Sequence, residues 1–294
     1  MRASQEKRYD VLVVGCGLMG SALARTLVRQ GNVVAAWNRT PERARALVGD
    51  GIVAVDDIEN AVRSSRIVLA CTATYETTRA ALEAVATWEG STLVNVGSGA
   101  PDEVEVIERW AGARGAAYLD GAILCYPQHV GTPDGLFFSG PTQVWQEHEQ
   151  VLSALGTCTH VSATTRGASV LDVTFAGGFY ITALAAYAEA ASYALSQGLT
   201  AAELTDVTRS VLAMMAGTTE DIARSIETGR HDTDQATIAV FAAGAGMCLE
   251  AMRATGHRAR ILEATTQLLA AAQAAGLGHL GFSAHACLAN RSQD

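Results

Sequence analysis

The chain has 294 residues, 49% of them apolar, and a formal net charge of −9. Such a length is enough for two domains with full cores. The acidic balance, with no local run of arginines, excludes a phosphate-neutralising face, so no nucleic-acid partner is expected. Lys7 is the only lysine, which excludes Schiff-base chemistry, a P-loop lysine and a tyrosine–lysine catalytic pair.

In chain order, the polar start "MRASQEKRYD" carries no secretory leader pattern and runs straight into a strand. "YDVLVVG" is a predicted strand, followed by "LMGSALARTLVRQG", an amphipathic helix closed by Gly31. "VVAAW" is a second strand. "TPERARALVGDG" is a short helix with Thr40 as N-cap and Pro41 in its first turn. "IVAVDD", "RIVLACT", "STLVNVG", "AAYLDGAI" and "GLFFSG" follow as strands, with helical segments between most of them. This alternation predicts βαβ units and a mostly parallel sheet covered on both faces.

Past about residue 165 no strand pattern remains. A long apolar helix from about Ala168 to Leu195 comes first. "TAAELTDVTRSVLAMMAG", "TEDIARSIETG", "QATIAVFAAGAGMCLEAMRATG" and "ARILEATTQLLAAAQAAG" then read as separate helices with glycine stops. The predicted organisation is α/β, with a doubly wound sheet domain over 1–165, a long interdomain helix over 166–196 and an all-α domain over 197–294. The long helix is the nearest approach to a membrane span, but it carries Asp172 and Glu189, so no membrane partner is expected. The six cysteines are scattered, with no Cys-x-x-Cys and no histidine cluster at ligand spacing. They read as reduced thiols of a cytoplasmic protein, without a metal site.

"VLVVGCGLMGSALA" places Gly15, Gly17 and Gly20 in a G-x-G-x-x-G pattern between a strand and a helix, the context of a Rossmann-type dinucleotide site. The first glycine permits the turn, the second lets backbone approach a pyrophosphate, and the third allows close helix–strand packing. Leu18 and Met19 complete the loop, and the helix N-terminus offers N–H groups to the phosphates. The second strand ends in "WNRT". Asn38 stands where an NAD enzyme places a carboxylate on the ribose 2′-hydroxyl. Arg39 supplies a planar fork suited to a 2′-phosphate, Thr40 adds a hydroxyl, and Arg43 adds charge one turn on. NADPH is therefore the expected cofactor. "ACTATY" (Cys71, Thr72) and "NVGSGAP" (Asn95, Ser98) follow further strands and belong at the same sheet edge. Ser98 is either a nicotinamide contact or the N-cap of the helix in "PDEVEVIERW".

Five stretches in order, "GCGLMGSALA", "WNRTPERA", "LVNVGSGAP", "YLDGAILCYPQHVGTPDGLFFSG" and "LDVTFAGGFY", resemble the successive motifs of NADPH-dependent imine reductases and reductive aminases, relatives of the β-hydroxyacid dehydrogenases. The resemblance runs from about residue 10 to at least 230. Those dehydrogenases carry a catalytic lysine on the long helix and an Asp-x-Pro-Val-Ser-Gly-Gly loop. This chain has Asp172 at the lysine position and "DGAILCYP" at the loop, which argues against hydroxyacid oxidation. Two positions depart from the imine reductase pattern: Leu171 where a tyrosine is frequent, and Met247 where many members have histidine.

The resemblance implies reduction of an imine, with hydride delivered to carbon and a proton to nitrogen. A carboxylate near the nicotinamide holds an iminium cation, or an aspartic acid delivers the proton, and Asp172 is the candidate for both. Tyr180 follows, about 12 Å along an α-helix and about 80° around it, either a catalytic hydrogen-bond donor or a core or interface tyrosine. For Asp172 two structural readings stand beside catalysis: an acid near a helix start favoured by the dipole, and an ion-pair partner of Arg166. Ile123, Leu124, Met214, Phe241 and Met247 are pocket or core residues, and His129 reads as structural. The long helix is apolar around most of its circumference and has to be covered on all sides. A homodimer with interlocked helical domains is therefore expected. The alternatives are a β-hydroxyacid-dehydrogenase-like reductase of a carbonyl substrate, and a non-catalytic NADP(H)-binding protein.

Overall fold

The computed structural model describes residues 8–289, apart from 89 and 134. The chain divides into two compact units, Met1–Tyr180 and Ile181–Asp294. The first extends well past the expected boundary at 165, because the start of the long helix packs onto the sheet rather than standing free of it.

The first unit is built on one eight-stranded sheet of order β3-β2-β1-β4-β5-β6-β7-β8. Its strands are β1 (Tyr9–Val14), β2 (Val34–Trp37), β3 (Val53–Ala54), β4 (Ser65–Ala70), β5 (Thr92–Asn95), β6 (Ala117–Ile123), β7 (Leu136–Ser139) and β8 (Cys158–Ser162). All pair in parallel except β6 with β7. The central strands read as unbroken apolar runs because helices cover both faces. Val11, Val13, Leu69 and Val94 face one core, and Leu12, Val14, Val68 and Leu93 face the other. Each such side chain contributes about 1.5–3 kcal/mol by leaving water. β8 is absent from the expected strands. It is an edge strand, "CTHVS", whose burial alternates between half-buried and exposed, so it has no apolar run to announce it.

The helices of this unit are α1 (Leu18–Arg29), α2 (Pro41–Arg45), α3 (Ile58–Arg63), α4 (Tyr75–Leu82), α5 (Pro101–Gly112) and α6 (Thr142–Leu152). α5 begins at Pro101 with Ala100 as N-cap, and the Ala100 N–H donates to Glu103 Oε2 at 2.6 Å. That removes the capping role considered for Ser98. β1 pairs with β2 on one side and β4 on the other, so the strand order reverses between β1 and β4. The loops leaving their carboxyl ends form the crevice in which ligands of open α/β sheets bind.

The long helix runs Arg166–Ser196. Among the described residues it is the one helix long and apolar enough to cross a membrane by length and composition, and most of it is exposed. Its middle, Asp172–Ile181, is wound as a π-helix, and Gly177 and Gly178 lie within it. In the second unit, Ala201–Thr228 is one helix rather than two. Gly217 sits in its interior with open space around it. A single glycine costs about 1 kcal/mol, too little to stop a helix opened by a reciprocal Thr200–Glu203 cap and closed by Gly229 at φ +65°. Helices Ile238–Ala254 and Arg260–Ala274 complete the unit around Ile238, Leu269, Ala272 and Ala284.

Candidate active site

The crevice between β1 and β4 is built from backbone. Gly15 has φ +102°, and a Cβ there would collide with the Cys71 carbonyl oxygen. A Cβ on Gly20 would strike the Gly15 carbonyl oxygen, whereas Gly17 faces open space. Gly17 caps α1 without a side-chain hydrogen bond, so the first N–H groups of α1 are free for an anion. A cavity of about 790 Å³ opens here, lined by Gly15, Gly17, Asn38, Arg39, Thr40, Arg43, Cys71 and Thr72. Leu18 beside it is 86% exposed, and Met19 is half-buried against the core.

The carboxamide of Asn38 works in two directions. Its oxygen accepts from the Cys16 N–H at 2.9 Å, and its nitrogen donates to the Thr40 carbonyl at 2.9 Å. It clamps the turn bearing Arg39 and Thr40 against the glycine loop, which a carboxylate, having no donor, does not do. Arg39 is exposed and makes no ion pair among the described residues. The residues present fit a 2′-phosphorylated dinucleotide: a cradle closed to any Cβ, a helix N-terminus, and two arginines without a carboxylate at the ribose position. Burial pushes the Cys71 thiol up to about 12, which disfavours the thiolate.

Asn95 corrects the expected set. It lies beneath the crevice rather than in it, fully buried. Its oxygen accepts from Thr78 Oγ1 at 2.9 Å and its nitrogen donates to the Tyr118 hydroxyl at 3.4 Å. Ser98 is exposed, on the loop after β5. The next residue, Gly99, leaves room for the Tyr75 ring, which a Cβ would strike.

Asp172 lies past the first turn of its helix, outside the range in which the helix dipole favours an acid. It is not the partner of Arg166, whose Nη1 binds Asp102 at 2.8 Å and Glu105 at 2.7 Å. Both structural readings of Asp172 therefore fall away. The carboxylate is half-buried, and its charge raises the proton affinity of Asp120 and Tyr75. Beyond it on the same helix, a cavity of about 450 Å³ is lined by Ile123, Leu124, Cys125, Tyr126, His129, Phe175, Ala176, Phe179 and Tyr180. Tyr180 donates to the Tyr126 hydroxyl at 3.3 Å. The cavity thus joins Ile123, Leu124 and Tyr180, and it gives His129 a place in a wall. Tyr126, Phe175 and Phe179 were missed. They lie within the motif stretches "DGAILCYPQH" and "LDVTFAGGFY" and look like ordinary core aromatics until the π-helical winding is known.

Met214, Phe241 and Met247 belong to the second unit and are exposed there. Phe241 lines a separate cavity of about 650 Å³ with Asp221, Arg224, Asp232 and Phe282. Among the described residues no group of three or more His, Cys, Asp or Glu side chains is placed to hold a metal ion.

Comparison with known proteins agrees with this layout. Residues 10–163 match the family model of the NAD binding domain of 6-phosphogluconate dehydrogenase. Residues 149–290 match the C-terminal domain of NADPH-dependent reductive aminase-like proteins. The chain is 26% identical over 275 residues to an NADPH-dependent reductive aminase of Aspergillus oryzae, covering 92% of each. Among solved structures it is similar to an imine reductase from Pseudomonas sp., with TM-score 0.90, 28% identity and coverage of 96% of this chain and 99% of that one. It is also similar to a reductive aminase from Aspergillus terreus in complex with NADPH4, cyclohexanone and allyl amine, with TM-score 0.88, 26% identity and the same coverage. With the glycine cradle, the Asn38–Arg39 turn and an aspartate on the long helix, these matches identify the chain as a member of the NADPH-dependent imine reductase and reductive aminase family, built on an NAD binding domain of the 6-phosphogluconate dehydrogenase type.

Proposed function

We propose that the chain reduces C=N bonds of imines to amines, with Asp172 facing the iminium nitrogen. The carrying observation is Asp172 itself: an acid on the long helix past its dipole, unpaired with Arg166, in a chain whose only lysine is Lys7. NADPH, when bound, supplies the hydride that goes to the C=N carbon. The chain's residues do the rest. The cradle of Gly15, Gly17 and Gly20 and the α1 N-terminus hold the pyrophosphate, and Arg39, Thr40 and Arg43 hold the 2′-phosphate. The Asp172 carboxylate holds the iminium, which then needs only hydride, or, where the neutral imine binds, the acid form of Asp172 delivers the proton to nitrogen. Tyr180 and Tyr126 form a hydroxyl pair at the rim of an otherwise aromatic and aliphatic cavity, which suits a substrate with one polar atom on an apolar body.

A homodimer completes this reading. Val173, Ile181, Leu184 and Tyr187 on the long helix, and Val207, Leu212, Met214 and Met247 in the helical unit, are all more than 40% exposed. An apolar surface of this extent is that of an interface. The second copy is the occupant, its helical unit laid on the long helix, with Met214, Phe241 and Met247 facing the partner's substrate. All six cysteines are free, which together with a reduced cofactor suits the cytoplasm.

The test is NADPH oxidation with 2-methylpyrroline and a dihydroisoquinoline, on wild type and Asp172→Ala in parallel. Turnover by the wild type and a loss of 10²-fold or more in the variant are expected, the scale of a lost acid–base group. Undiminished turnover by Asp172→Ala removes Asp172 from the reaction.

A further inference from the structure

Asp120 is the only fully buried Asp or Glu among the described residues. It sits in β6, in the "LDGAI" stretch that opens the wall of the aromatic cavity. Among the described residues no cation acts on it. Its oxygens accept from the Tyr75 hydroxyl at 2.9 and 3.0 Å and from the Tyr118 hydroxyl at 3.0 Å, and a backbone hydrogen bond from Ser169 adds to these. Ser169 is on the long helix, one turn before Asp172. From Tyr118 the hydrogen bonds continue through Asn95 and Thr78 to Thr72 Oγ1, 2.7 Å from Thr78 Oγ1, and Thr72 lines the cofactor cavity. Tyr75 packs against Gly99, beside Ser98. One buried chain of polar groups therefore links the crevice, the Ser98 loop and the turn bearing Asp172, and Asp120 is its hub.

The groups facing Asp120 are few. Tyr118 is on its own strand, Tyr75 on α4, and Glu103 on α5 acts on Tyr75. The long helix contributes Asp172 and Arg166, and Arg166 is committed to Asp102 and Glu105. On the neighbouring strands β5 and β7 stand Asn95 and Ser139, neither charged. A carboxyl buried without a cation holds its proton instead of ionising. Burial is the chief cause that pushes Asp120 up to about 8. The Asp172 charge adds to the rise, and the hydrogen bonds from Tyr75, Tyr118 and Ser169 oppose it.

We propose that Asp120 is a positioning residue that keeps a proton at rest behind Asp172, so that the site presents one carboxylate charge, not two, to a cationic substrate, and that the two acids behave as a coupled pair. This rests on the reading of Asp172 as the substrate-facing acid. In the reaction the iminium brings its own proton on nitrogen, the Asp172 carboxylate holds that cation, and hydride at carbon turns it into the neutral amine with no proton drawn from Asp172. Asp120 keeps its own throughout. In a coupled pair the loss of either charge shifts the proton affinity of the other, and apparent midpoints belong to the pair.

The experiment needs no turnover. Infrared spectra of the full-length protein from pH 5 to 10 follow the C=O stretch of a buried protonated carboxyl, in wild type, Asp120→Asn, Asp172→Asn and Tyr118→Phe. The wild type is expected to lose this band with a midpoint near 8. Asp120→Asn lacks the band. In Asp172→Asn the midpoint falls, by roughly one pH unit for a like charge removed at close range. Tyr118→Phe, which keeps the carboxyl and removes a hydrogen bond to its charged form, raises the midpoint. This variant covers the case in which Asp120→Asn does not fold. No titrating band in the wild type, or an unmoved midpoint in Asp172→Asn, overturns the proposal. On imine substrate, Asp120→Asn is expected to lose the change in kcat/KM that the wild type shows as Asp120 ionises near pH 8, with KM for NADPH unchanged within about twofold. A uniform loss of kcat on the wild-type pH profile marks a merely structural residue and also overturns it. Because the infrared titration proceeds without imine turnover, failure of the functional reading and failure of the coupling are told apart.

Discussion

On the proposed reading, cofactor choice is the property most directly controlled by a single exposed side chain. Arg39 is held beside the glycine cradle by the two hydrogen bonds of Asn38, and among the described residues it has no ion pair to break before binding phosphate. A charge-assisted hydrogen bond contributes about 1.5–3 kcal/mol, so Arg39→Ala should weaken NADPH binding by roughly 10–100-fold at low salt, with Arg43 keeping the residual preference. NADH lacks the 2′-phosphate, and its KM should change by less than about threefold. The double variant Asn38→Asp, Arg39→Ala removes the Thr40 clamp and adds a carboxylate at the ribose, and it should reverse the preference. Nicotinamide fluorescence titration and steady-state KM for both cofactors measure this. Equal losses for NADH and NADPH in Arg39→Ala, or equal affinities in the wild type, would refute the assignment of the 2′-phosphate to Arg39.

Other outcomes follow from the same geometry. Gly20→Ala places a methyl group on the Gly15 carbonyl and should abolish dinucleotide binding with a loss of stability of several kcal/mol; thermal shift with and without NADPH reads both. For Asp120, proton affinity rises from 3.8 in the unfolded chain to about 8 in the folded one. The folded state binds more protons between those values, so stability should fall as pH climbs from 4 towards 8. Asp120→Asn should flatten that part of the Tm–pH curve, and an unchanged slope assigns it to another group. Tyr180→Phe should cost only about 3–10-fold in kcat, because Tyr126 keeps a hydroxyl at the same rim; a loss as large as that of Asp172→Ala would make Tyr180 the principal proton donor. Leu184→Glu on the exposed face of the long helix should give a monomer by light scattering and, with it, loss of turnover. Thiol labelling at pH 8 should modify Cys248 and Cys287, which are exposed, and spare Cys16, Cys71 and Cys158, whose thiols burial pushes up to about 11, 12 and 12.

The glycine pattern and the strands around it were legible because local rules govern them: β1 is apolar on both faces, and each glycine of the loop has a distinct steric demand. The residue after β2 was legible as chemistry, since Asn38 stands where an acid is expected and Arg39 follows it, but the role of Asn38 as a clamp needed the distance to Cys16. β8 escaped because an edge strand lacks the apolar run that marks a central one. The break expected at Gly217 failed because helix length and caps outweigh one glycine. Asp120 was visible in "DGAILCYP" only as a letter. Its isolation from the cations of the described residues is a property of packing between β6, α4 and the long helix, and no spacing in the sequence encodes it. Tyr126 and Phe175 share that fate, since the loop after β6 and the long helix bring them to the wall of one cavity.

The π-helical stretch Asp172–Ile181 has an evolutionary and an engineering consequence. Such winding accommodates about one residue more per turn than an α-helix, so removing one residue should let the segment relax to α geometry while its two ends keep nearly their phase and the side chains between them shift around the axis. A single deletion between Val173 and Phe179 would thus reassign which side chains share the cavity wall without altering any of them. Libraries that vary helix register by one residue explore pocket shapes here that no set of point substitutions reaches.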